Sequence, residues 1–130
     1  MKFLLTIYGD ESRRTSVPED EIRKLVGEYF ALDDAAREAG VYVESNGLHP
    51  TAAATTVQVR GGEQLLTDGP FAETREQLGG YFLLDCADMN EALEWAARIP
   101  GARTGSVEVR PVMDYEAAGS QEHAQTEAAR

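Results

Sequence analysis

Asp68 and His49 are the side chains of this sequence whose types and placement best suit proton transfer. General acid–base work needs a group that titrates near neutrality in a cleft, and a carboxylate returned to an imidazole provides one. His49 lies just before a predicted hairpin and Asp68 just after it, so the fold has a way to bring them together. Both residues also have plain structural readings. An Asp-Gly dipeptide is a common turn former that bonds its own backbone, and a loop histidine is commonly solvated. Glu73, Tyr81, Arg75 and Tyr8 are the candidate ligand-binding residues, while Arg75 and Glu76 also suit an exposed ion pair worth under about 1 kcal/mol.

Other chemistries find less support. No two His, Cys or carboxylates stand at ligand spacing on a shared element beyond chance, so neither a metal nor a cofactor is expected. Gly61-Gly62 and Gly79-Gly80 lack the strand-to-helix context of a phosphate loop. Cys86 is the single cysteine, which excludes an intrachain disulfide, and its place in a strand predicts a small core residue.

The elements that must position these groups follow from periodicity. Residues 3–8 alternate Phe3, Leu5 and Ile7 with Leu4, Thr6 and Tyr8, a strand with bulk on both faces. After a charged loop over 9–15, Ser16 and Glu19 have capping-box spacing. Ile22, Leu25, Val26, Tyr29, Leu32 and Ala36 then fall on one helical stripe ending at Gly40. Residues 41–44 read as a strand, and 45–47, Ser-Asn-Gly, as a turn. Residues 55–60 and 63–68 make a hairpin around Gly61-Gly62, a two-residue loop suited to a primed turn. Its register sets Thr55 opposite Asp68 and puts the acid on the face of Val57, Val59 and Leu66, an anomaly that asks for a purpose.

Gly69 and Pro70 end the hairpin, Phe71 is expected to plug the core beneath the turn, and residues 74–77 are expected to form a helical turn stopped by Gly79-Gly80. A strand over 81–86, a helix capped by Asp88 with Glu91 three residues on, a stop at Pro100-Gly101 and a strand over 106–110 complete the pattern. The resulting order is strand, helix, strand, hairpin, strand, helix, strand. It predicts an α+β domain, a ferredoxin-like sheet over residues 1–113 with helices on one face. Residues 114–130 read as a polar tail.

The stretch from Asp68-Gly69-Pro70-Phe71 through Ala72-Glu73-Thr74-Arg75-Glu76-Gln77-Leu78 to Gly79-Gly80-Tyr81 resembles the signature of the DGPF branch of the YCII-related family. The segment 91–97, Glu-Ala-Leu-Glu-Trp-Ala-Ala, is similar to that family's second helix. The resemblance implies a dimeric α+β barrel in which two sheets close on each other. It carries Asp68, Gly69, Pro70, Phe71, Glu73, Gly79, Gly80 and Tyr81 over position by position. Better-described relatives pair an Asp with a His nearer the first helix, whereas His49 and His123 are the histidines here. Two functions follow as expectations. One is a protein that binds a small polar molecule between sheet and dimer partner, with acid–base chemistry at Asp68. The other is a non-catalytic ligand-binding or regulatory module, which the family's frequent pairing with sigma-factor genes would suit.

Composition narrows the partners. Twelve basic against 23 acidic residues give a net charge of -11, which repels phosphate backbones and anionic lipid, so neither nucleic acid nor a membrane is expected. The first apolar run ends at Gly9-Asp10, too early for a signal peptide, which makes the cytoplasm the expected location. Sheet faces with bulk on both sides predict a homodimer. The tail is expected to be dispensable: deleting residues 116–130 should move the melting temperature by less than about 5 °C, roughly 1 kcal/mol in a domain of this size, as a thermal melt of the truncated chain would read.

Overall fold

Phe3, Leu5 and Ile7 point to one side of strand β1 (Lys2–Gly9), and the sheet is built outward from it. The structure is a computed structural model and describes residues 1–118. In it β1 pairs antiparallel with β5 (Gln77–Asp85) on one side and β6 (Ser106–Pro111) on the other. The outer edge of β5 carries β2 (Tyr42–Gly47), which gives the order β2-β5-β1-β6. A separate two-stranded sheet is formed by β3 (Thr55–Arg60) and β4 (Glu63–Asp68). The described helices are α1 (Glu19–Glu38), α2 (Met89–Arg98) and the single turn α3 (Tyr115–Ala118). This is a mixed α+β architecture with antiparallel sheets.

The core lies on one face of the larger sheet. Across β1 and β5, Phe3 faces Leu84 and Leu5 faces Phe82, and all four are buried. Leu32 and Ala36 of α1 and Ala92 and Ala96 of α2 close over them, joined by Val41, Cys86 and Ile99. Each Leu or Phe sealed this way contributes about 1.5–3 kcal/mol. Tyr29 packs at the margin of this cluster, its ring stacked on Phe82 at 6.5 Å and its hydroxyl accepting the Gly101 N–H at 3.1 Å. Burial pushes the Tyr29 phenol above its ordinary value, as expected of a structural tyrosine. Burial, with the Glu91 carboxylate beside it, likewise pushes the Cys86 thiol up to about 11, which leaves it inert at neutral pH.

Several local expectations hold. Asp88 caps α2 by accepting the Glu91 N–H at 2.9 Å, and Glu91 in return accepts the Ala87 N–H at 3.1 Å. The hairpin register is the expected one, from Thr55 opposite Asp68 to Arg60 opposite Glu63. Gly61 and Gly62 both take positive φ, 58° and 82°, as a primed turn requires.

Others are corrected. Ser16 does not cap α1: it ends a 3₁₀ helix (Glu11–Ser16) whose N-cap is Asp10, and α1 starts after Pro18 with no side-chain cap. Only the second half of the α1 stripe reaches the core: Leu32 and Ala36 are buried in it with Tyr29 packed against it, while Leu25 and Val26, nearer the N-terminus, are exposed. Residues 45–47 are not a turn but the end of β2, since Ser45, Asn46 and Gly47 pair with Phe82, Tyr81 and Gly80. No helical turn forms at 74–77, where the Thr74 hydroxyl bonds the Glu76 carbonyl at 2.6 Å instead. Phe71 is no plug: it is 86% exposed, because the hairpin stands away from the core. Of the expected tail, residues 115–118 form α3 and the remainder lies outside the described residues.

Gly79 and Gly80 extend β5 rather than stopping a helix. The register of β5 against β1 shifts between Ile7–Gly80 and Tyr8–Leu78, so Gly79 is the extra residue of a bulge. Beside it, a Cβ on Gly80 would lie 2.9 Å from the Asn46 carbonyl oxygen and 3.3 Å from the Gly47 Cα. Only glycine lets β2 approach this closely, and backbone cannot give way as a side chain does. Gly80→Ala is therefore expected to cost about 1–3 kcal/mol, the range for overpacking, measured as a lowered urea midpoint at unchanged m.

Candidate functional site

The sheet face opposite the helices is where chemistry-bearing side chains converge. Alternation along β1 sends Leu4, Thr6 and Tyr8 there, and their partners on β5 are Leu83, Tyr81 and Leu78. The bulge at Gly79 is what returns Leu78 to the side of Tyr81 despite their odd spacing. From β2 come Glu44 and Asn46, opposite Leu83 and Tyr81. From β6 come Glu108 and Arg110, paired with each other at 2.7 Å. The face thus has a half-buried centre of Leu4, Thr6, Tyr8, Tyr81 and Leu83 between two polar edges.

At the β2 edge Tyr81, Glu44 and Asn46 form a hydrogen-bonded trio. The Tyr81 hydroxyl donates to Glu44 Oε2 at 2.7 Å and accepts from Asn46 Nδ2 at 3.0 Å, and the same amide nitrogen lies 3.5 Å from Glu44 Oε2. A carboxylate only accepts, so the Asn46 amide must present its nitrogen here. Its oxygen then faces away, and with Glu44 Oε1 it remains an acceptor with no hydrogen bond among the described residues. The trio therefore offers acceptors, held in place by a phenol that both donates and accepts. It suits a ligand bearing hydroxyl or amine hydrogens.

The residues expected from the sequence are placed as follows. Tyr81 and Tyr8 are on this face, both half-buried. His49 lies in the loop after β2 and lines an open cleft of about 300 Å³ with Arg14, Gly47, Leu48 and Pro50. Asp68 is not among the residues of that cleft; it ends β4, exposed, and shares no hydrogen bond or ion pair with His49 among the described residues. Glu73 and Arg75 are exposed, and Arg75 acts at a distance, its charge helping to hold Asp10 below the usual carboxylate range after the Ser12 hydrogen bonds that dominate. Glu76 accepts from the Ser106 hydroxyl at 3.0 Å rather than pairing with Arg75.

The Asp68 turn is held by other groups: the Gly69 N–H bonds the Ala54 carbonyl at 2.7 Å and the Thr56 hydroxyl bonds the Gly69 carbonyl at 2.8 Å. The side of the hairpin on which Asp68 stands, with Val57, Val59 and Leu66, is itself exposed. Asp68→Ala should change the stability of a single chain by less than about 0.5 kcal/mol, readable by urea denaturation.

Two features escaped the sequence. Glu44 and Asn46 share a face only if β2 continues through Gly47, a continuation that the Ser-Asn-Gly turn signal hid. The second is a clamp at the hairpin root: Glu11 accepts both the N–H and the hydroxyl of Thr51, each at 2.7 Å, while its own N–H donates to Gln77 Oε1 at 2.9 Å. Among the described residues no three His, Cys, Asp or Glu converge as a metal site would need, and no helix is long and apolar enough to cross a membrane.

Comparison with known proteins places this geometry in a family. A protein of Rhizobium meliloti (strain 1021), described as uncharacterised, is 39% identical over 117 residues, covering 88% of this chain and 94% of that relative. The YCII-related domain matches residues 1–116, which takes in every strand of both sheets. The chain belongs to the YCII-related domain family.

Proposed function

We propose that this chain is a homodimeric binding protein for a small polar molecule, held in a cleft between the outer sheet face of one copy and the second copy. The observation that carries the reading is the Glu44–Tyr81–Asn46 trio, an ordered set of acceptors on a face that the described residues leave uncovered. The order β2-β5-β1-β6, with both long helices on one side, supports a ferredoxin-like sheet, and two such sheets closing on each other make a dimeric α+β barrel. Leu4, Leu83 and Tyr8 in the middle of the uncovered face supply the apolar contact for such closure. The ligand class that suits the trio is a small molecule with hydroxyl or amine donors, Tyr81 and Tyr8 supplying the ring surfaces beside it.

Acid–base catalysis by Asp68 and His49 would need the second copy to bury them, since both are exposed in a single chain. That exposure favours, as the second reading, a non-catalytic ligand-binding or regulatory module.

A thermal-shift screen of small polyols, amines and hydroxy acids tests the proposal. A ligand at a hundred times its Kd stabilises by about 2.7 kcal/mol, which raises the melting temperature by several degrees. The shift should shrink to near zero in Glu44→Gln and Tyr81→Phe. A hit whose shift survives both substitutions places the ligand elsewhere, and a monomer by light scattering at micromolar concentration removes the shared cleft.

A further inference from the structure

The β3–β4 hairpin is the least accounted-for part of the molecule. An isolated two-stranded ribbon is marginal in water unless something packs on it. Yet every residue of this one except Thr56 is exposed, including Val59 at 61% and Leu66 at 63%. These two share one face with Val57, flanked by Thr55, Gln64 and Asp68, while the other face carries Thr56, Gln58, Arg60, Glu63 and Thr67 around a single Leu65. One side is therefore an apolar ridge and the other a solvated surface, the pattern of a strand pair that packs on one side only. The root is fixed: the Glu11–Thr51–Gln77 clamp and the Leu48 N–H to Gly79 carbonyl bond, 2.9 Å, tie it to the end of the sheet where Tyr8, Gln77 and Ser106 lie.

We infer that this hairpin is an arm that grips the second copy of the chain, its Val57–Val59–Leu66 face forming a side wall of the partner's ligand cleft. The inference rests on the dimeric reading above. The area to be covered fits a second copy as the occupant. With strands about 4.8 Å apart and about 3.3 Å per residue, the outer face of the sheet offers about 400 Å² per copy. Two faces together bury about 800 Å², short of the roughly 1,200 Å² of a stable interface. One hairpin face from each copy, about 200 Å² closing on an equal area of the partner, brings the total to about 1,600 Å². A second copy thus supplies a cover for both surfaces that the described residues of one chain leave bare, and two-fold symmetry makes each arm serve the other's cleft. Asp68, at the root of the arm beside Thr55, then stands at the rim of the shared cleft.

Sedimentation equilibrium on the full chain tests this, with far-UV circular dichroism confirming the fold. The wild type should be a dimer, and Leu66→Asp and Val57→Asp should each raise the dimer Kd tenfold or more. Gln58→Asp, on the opposite side of the same ribbon, should leave it unchanged. A dimer indifferent to Leu66→Asp but weakened by Leu83→Asp overturns the arm and leaves the sheet-to-sheet dimer standing; a monomeric wild type overturns both. As a second readout, copies carrying a spin label at Val59→Cys are mixed with isotopically labelled copies, the buried Cys86 being protected from the label. Broadening of the isotopically labelled copies' own amides in β2 or β5 is expected, and its absence from a dimeric mixture overturns the wall.

Discussion

The pairing of β1 with β5, Phe3 against Leu84 and Leu5 against Phe82, is the constraint on which the rest of the molecule depends. These strands lie 68 or more positions apart in the chain, from Gly9 to Gln77, and their contact closes the loop that contains α1, β2 and the hairpin. Closing so long a loop costs conformational entropy that four buried side chains and two covering helices offset. Once it is made, β6 has one free edge to join and β2 the other, and α1 and α2 can reach only the face that carries Phe3, Leu5, Phe82 and Leu84.

One-sided coverage has a direct consequence for function. Period-two alternation means that every residue committed to the core leaves its neighbour on the opposite face. That face inherits Leu4, Thr6, Tyr8, Tyr81 and Leu83, with Glu44 and Asn46 at its edge. The trio at that edge depends on two backbone details: the bulge at Gly79, which sets the register of β5, and the bare Gly80, which lets β2 come close enough for Asn46 to reach the Tyr81 hydroxyl. The conspicuous glycines of the signature thus serve the sheet, not a helix stop. Its Asp and Phe, by contrast, both face water: Asp68 and Phe71 are exposed among the described residues.

The sequence by itself determined what rests on local rules. Strand alternation, the hairpin register, the primed turn at Gly61-Gly62 and the Asp88–Glu91 cap were legible because alternation, capping and turn chemistry act over a few residues. The signature itself sufficed to point to the family. Tertiary structure decided what depends on distant neighbours. Ser45-Asn46-Gly47 is extended because β5 offers it a free edge, which overrides a turn propensity worth little by comparison. Ser16 lost its cap because Asp10 and Glu11 draw that segment into a 3₁₀ helix clamped to Thr51. Asp68 and His49, flanking a hairpin that returns the chain, share no hydrogen bond or ion pair among the described residues, and both are exposed because little packs on the hairpin or on the loop after β2. Register fixes which face a side chain is on, but whether that face is buried is set by what packs against it, and no spacing within the chain records that.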